Sequence, residues 1–99
     1  MLQINGFKVH FKHKPDEWGY TNSVVGERNV QNEYRGLTEC IIEDEEKETG
    51  TTGTGYCSVT DKFDKSVGRK VSLAKALKTF PKEFRTQVWK AYVEEVNRL

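Results

Sequence analysis

The apolar residues of this 99-residue chain change their spacing once. Up to Thr60 they tend to alternate with polar residues, and from Asp64 onward they recur every three or four positions. A period of two belongs to strands with one buried face, and a period near 3.6 to amphipathic helices. Strands first and helices afterwards describe an α+β domain over 1–99. Its expected architecture is an antiparallel sheet of two β-hairpins, about four strands, followed by two C-terminal α-helices packed on one face.

The first hairpin is written in its turn. Asn5-Gly6 favours a two-residue connection in which both residues take positive φ. Pairing across it sets Ile4 opposite Phe7 and Leu2 opposite Val9, with Phe11 continuing the same face. Gln3, Lys8, His10 and Lys12 fall on the other face. The second hairpin joins a strand at 37–43 to one at 55–60, with the acidic and then Gly/Thr-rich segment 44–54 as the connection. Cys40 and Ile42 share one face of the first strand, and Cys57 and Val59 one face of the second. Residues 13–36, punctuated by Pro15, Gly19, Asn22, Gly26 and Asn29, read as a long connection that holds a short unrecognised element or is functional or mobile.

Asp64 is the expected N-cap of the first helix, with Phe63 as an apolar staple before it. Val67, Val71, Ala74 and Leu77 follow at helical spacing. Pro81 ends that helix and can open the next, whose stripe is Phe84, Val88, Ala91, Tyr92 and Val96. Trp89 beside the stripe is a core edge or an interface anchor.

Composition narrows the function classes. No apolar run approaches the ~18 residues of a membrane span. The N-terminus lacks the basic start and apolar stretch of a signal peptide, so a cytoplasmic location without a membrane partner is expected. Two cysteines without a CxxC pattern suit small buried thiols in such a compartment. His10 and His13 match no standard ligand spacing, the acidic segment is not a calcium loop, and no cofactor motif or catalytic constellation stands out. The net charge of +1 conceals segregation. Residues 39–50 carry six acids and one Lys, whereas 62–90 carry nine basic residues against Asp64 and Glu83. Such asymmetry is compatible with an anionic partner and equally with a solvated helix face.

Two surfaces emerge as candidates. At the start of the first helix, free backbone amides and the positive end of the dipole attract anions. Lys65, Ser66, Gly68, Arg69 and Lys70 surround that point, and Phe63 could stack on a base. Gly68 costs a helix about 1 kcal/mol against Ala, so it serves the close approach of a ligand or of another backbone. The alternative for this segment is ordinary helix initiation with Phe63 in the core and Gly68 against the sheet. The second is a protein-contact segment, supplied either by Trp18 and Tyr20 or by the acidic residues Glu43, Asp44, Glu45 and Glu46, whose plainer reading is a solvated hairpin tip.

The stretch Asp61-Lys62-Phe63, then Gly68-Arg69-Lys70 and the Ala/Leu helix that follows, resembles a D-x-F-x-x-x-x-G-R-K block of small bacteriophage-encoded accessory proteins. Phe80-Pro81-Lys82-Glu83-Phe84-Arg85 is similar to that group as well. The layout of a sheet followed by two helices is also similar to Thoeris anti-defence sponge proteins. The resemblance implies a non-catalytic anti-defence protein that sequesters a phosphate-bearing nucleotide signal, with Phe63, Arg69 and Lys70 at the ligand and no cofactor. Two alternatives stand beside it: an inhibitor that binds a host nuclease or CRISPR-type effector, and a nucleic-acid-binding accessory factor. A homo-oligomer is expected, because one thin domain can hardly bury a ligand alone.

Overall fold

The computed structural model describes residues 2–98. Four strands, β1 (Leu2–Ile4), β2 (Phe7–Val25), β3 (Arg28–Asp44) and β4 (Thr49–Ser58), form one antiparallel sheet in the order β1-β2-β3-β4. Helices α1 (Lys65–Ala76) and α2 (Lys82–Asn97) follow. The expected α+β class, with four strands and then two helices, is the observed one. No helix is long and apolar enough to cross a membrane.

The first hairpin has the register its turn dictates, Ile4 opposite Phe7 and Leu2 opposite Val9. Asn5 and Gly6 both have positive φ, 50° and 83°. Leu2 and Val9 are buried together with Cys40, Ile42, Leu73, Ala76, Leu77, Val88 and Tyr92. Around this core an aromatic layer closes the α2 side. Phe7 lies 4.8 Å from Phe84 and edge-on to Phe80 at 5.8 Å, and Trp89 lies edge-on to Tyr92 at 5.8 Å. Trp89 is therefore a core edge.

Residues 13–36 are not a separate connection. β2 and β3 run on through them, past the ends of β1 and β4, as a two-stranded arm paired from Trp18/Arg35 to Val25/Arg28. Gly26, with φ +65°, is the first residue of a two-residue turn, the position where glycine suits the hairpin geometry. The punctuating residues sit where pairing breaks. Between Lys14 and Trp18 the register shifts, with Pro15 in the gap on β2 and Gly36 opposite on β3. Gly36 has φ +95°, and a Cβ there would meet the Phe63 ring and the Pro15 carbonyl. Pro and Gly in a strand mark this kind of irregularity.

The second connection is shorter than expected, because β4 starts at Thr49 and only residues 45–48 turn. The Gly/Thr run is strand: its threonines are β-branched, and Gly53 and Gly55 face α1. A Cβ on Gly53 would strike the Ala76 amide nitrogen and the Ser72 carbonyl. One on Gly68 would strike the Thr38 hydroxyl. Helix and sheet thus meet backbone to backbone. The buried face of α1 is accordingly Ser72, Leu73 and Ala76, with Leu77 just beyond, and not the valine stripe, since Val67 and Val71 remain 55% and 39% exposed. In α2, Val88 and Tyr92 are buried as the periodicity predicts, whereas Val96 is exposed.

Overpacking sets the expected response. Gly53→Ala is predicted to lower unfolding stability by about 3 kcal/mol. Gly50→Ala, where the nearest atom to a new Cβ is 3.7 Å away, leaves the urea midpoint nearly unchanged.

Candidate functional site

Asp64 is the N-cap of α1, and its carboxylate accepts hydrogen bonds from the amides of Ser66 (2.8 Å) and Val67 (3.3 Å). The helix N-terminus thus already holds an anion of its own chain. Contact with a further anion falls to side chains here, and Ser66 offers only its exposed hydroxyl. Gly68 faces Thr38 on β3 and serves the approach of helix to sheet.

The side chains of the segment divide between two sides. Phe63 is half-buried over Gly36, and its ring stands edge-on to His13 at 6.1 Å. His13 Nδ1 and the buried Thr38 hydroxyl are joined by a hydrogen bond of 2.9 Å. Burial lowers the His13 pKa, and the positive charges of Arg69 and Lys65 lower it further. Phe63, His13, Lys65 and Arg69 therefore form one neighbourhood at the base of the arm. Lys70 extends outward into solvent one residue along. Among the described residues, no carboxylate lies within ion-pair distance of Lys65, Arg69 or Lys70.

On the other side of α1, towards the β4 edge, is a cleft of about 410 Å³ bordered by Phe63, Val67, Val71, Cys57, Tyr56 and Lys62. Cys57 Sγ lies 3.6 Å from the carbonyl oxygens of Ser58 and Asp61, and burial together with the Asp61 charge pushes its pKa up. Cys40 is wholly buried, with its pKa pushed up to about 12. Both thiols are free and stay protonated at neutral pH. Neither is poised as a nucleophile. Cys40 pairs in register with Gly53, four positions from Cys57 along β4. Among the described residues, no three His, Cys, Asp or Glu side chains converge as metal ligands do.

The two alternatives for protein contact lie apart. Trp18 and Tyr20 stand on the arm, 57% and 54% exposed with rings 5.2 Å apart, and Trp18 Nε1 donates to Glu33 at 2.7 Å. The acidic residues lie at the opposite end of β3. Glu43 faces His10 at 3.2 Å, and Asp44 accepts from the amides of Glu46 and Lys47. Glu45 is tied to the first hairpin through the Gly6 carbonyl and Gln3. The sequence weighs His13 only as a metal ligand. Its alternation with Val9 and Phe11, both on the core face, was the signal that it turns towards α1.

With this geometry in view, comparison with known proteins adds no relative: no family model, no curated protein and no solved structure matches the chain.

A histidine with a depressed folded-state pKa binds fewer protons folded than unfolded, so its contribution to stability is present above the unfolded value near 6.5 and is lost as pH falls. Thermal unfolding followed between pH 7.5 and 5.5 is expected to show a larger loss for the wild type than for His13→Gln.

Proposed function

We propose that this protein is a non-catalytic binder that captures a phosphate-bearing nucleotide at the base of the arm. The observation that carries the reading is a group of cations, Lys65 and Arg69, without a carboxylate partner among the described residues and brought beside His13 and the Phe63 ring. Arg69 offers a planar fork suited to two phosphate oxygens, and Lys65 a mobile point charge. His13 adds a third donor when protonated. Lys70 reaches the outer phosphates of a longer ligand. The exposed part of Phe63 supplies an aromatic surface for a base. Binding of this kind needs charge and stacking but no general base. In the setting that the resemblance to phage accessory proteins implies, the ligand is a host nucleotide signal and capture is sequestration.

Calorimetric titration with a panel of cyclic nucleotides and ADP-ribose derivatives is the test. Binding is expected with a Kd below about 10 μM, and no heat from any member at that level overturns the proposal. Arg69→Ala is expected to weaken binding at least tenfold, on the scale of one charge-assisted contact of about 1.5–3 kcal/mol. Affinity rises as pH falls through the His13 titration, because the bound anion favours the imidazolium.

A second reading, an inhibitor of a host nuclease complex, is favoured by the exposed Trp18/Tyr20 pair on the projecting arm. Aromatic side chains held on a stiff element are common anchors of protein interfaces. Trp18→Ala is expected to change stability by less than about 0.5 kcal/mol. If this second reading is right, the same substitution abolishes capture of a stoichiometric partner from host lysate.

A further inference from the structure

The two edges of the sheet are treated differently. On one side β1 covers only Phe7 to Val9 of β2. Beyond it β2 exposes Lys12, Lys14, Pro15, Asp16 and Glu17 across a break in register. Charges, proline and irregularity are the usual guards of an open edge. On the other side β4 has no charge and no proline, and its register shift falls at its very end, between Tyr56 and Ser58. Its ten residues, Thr49–Ser58, include no charged residue and no proline in a chain that is 31% charged. Its pairing with β3 is unbroken from Thr49 to Tyr56. An unguarded strand of this length is a template for another strand.

We infer that β4 pairs edge to edge with β4 of a second copy of this chain, antiparallel about a two-fold axis, to give a continuous eight-stranded sheet. Three features specify a second copy as the occupant. First, the strand is self-complementary. With the axis at Gly53, Thr52 stands opposite Thr54; with the axis at Thr54, Thr54 meets its mate and Thr52 meets Tyr56. These Thr–Thr and Thr–aromatic pairs are favourable across strands. On the helix side the central positions are Gly53 and Gly55, so no side chain obstructs the approach beneath α1. Second, the outward residues of α1 along this edge are the exposed Val67 and Val71, which border the cleft beside β4. In the pair they turn towards the axis. Third, antiparallel pairing carries the turn 45–48 of each copy alongside the end of β4 in the other, at the mouth of the cleft that Asp61, Lys62 and Phe63 border. The cleft of about 410 Å³, open on its outer side in one copy, is walled by the second. This interface uses the β4 side of α1, and the cations of the proposed phosphate site lie towards β2; Phe63 borders both, so the mass measured without ligand and the calorimetric titration report on the two separately.

Sedimentation equilibrium of the full chain, without ligand, tests the inference. A mass of twice 11.4 kDa is expected, returning to one copy in the double variant Thr52→Lys, Thr54→Lys. In either register that variant sets lysines directly across the axis or across from a strand neighbour. Hydrogen exchange of the β4 amides is the companion measurement, with protection expected to rise with chain concentration in the wild type and to stay low in the variant. A monomer at all concentrations up to about 1 mM overturns the inference. So does a dimer that survives both lysines, an assembly larger than two, or β4 exchange that ignores concentration.

Discussion

The structure depends on one contact without side chains. Gly53 and Gly55 of β4 and Gly68, Ser72 and Ala76 of α1 let a helix rest on the backbone of a sheet. Larger residues would lift α1 away, and Leu73 and Leu77 would no longer reach the core that Val9, Cys40 and Ile42 share. The same seating brings Phe63 over Gly36 and carries the first turn of α1 to His13. Close packing in the middle of the helix therefore decides where its N-terminal cations point.

Charge segregation along the chain becomes segregation in space, though not uniformly. On the face of the sheet away from the helices, polar side chains pair across β2 and β3, with Lys14 bonded to Glu39 at 2.8 Å as an ion pair and His10 hydrogen-bonded to Glu43 at 3.2 Å. That bonding holds the Lys14 pKa up, but exposed pairs contribute little to stability. At the base of the arm the cations have no such partners among the described residues. The basic balance of residues 62–90 thus becomes a local field around Arg69 and Lys65 without spreading evenly over the surface.

The first hairpin was legible because turn chemistry and alternation agreed, and the Asp64 cap because a short polar side chain preceded a helical run. The arm was not legible as strand. Both of its faces are exposed, with Trp18, Tyr20, Val24, Val25 and Val30 open to solvent, so no core imposes a period, and the turn at Gly26-Glu27 is its clearest sign. Gly53 was read as connection because glycine usually marks a turn, whereas here it marks a helix pressed against the strand. For the same reason the valine stripe of α1 misled: when backbones touch, Ser72 and Ala76 form the buried face and larger residues are displaced outward. Of the candidate site, Phe63 and Arg69 were legible from composition and spacing. Their union with His13 was not, because it joins β2 to α1 across half the chain.

β1 and β2 form the first hairpin in the chain, yet the helix that covers them is the last element. Asn5 Nδ2 donates to Gln87 Oε1 at 2.6 Å, and Phe7 is enclosed by Phe80 and Phe84. The successive hairpins of the sheet are local pairings that can zip in order, but Phe7 and Phe11 have no cover until α2 docks. A chain that has not yet formed α2 therefore carries an exposed aromatic face. The closure that buries it joins residues 82 positions apart in sequence, a non-local contact that forms late because its loop must be closed first.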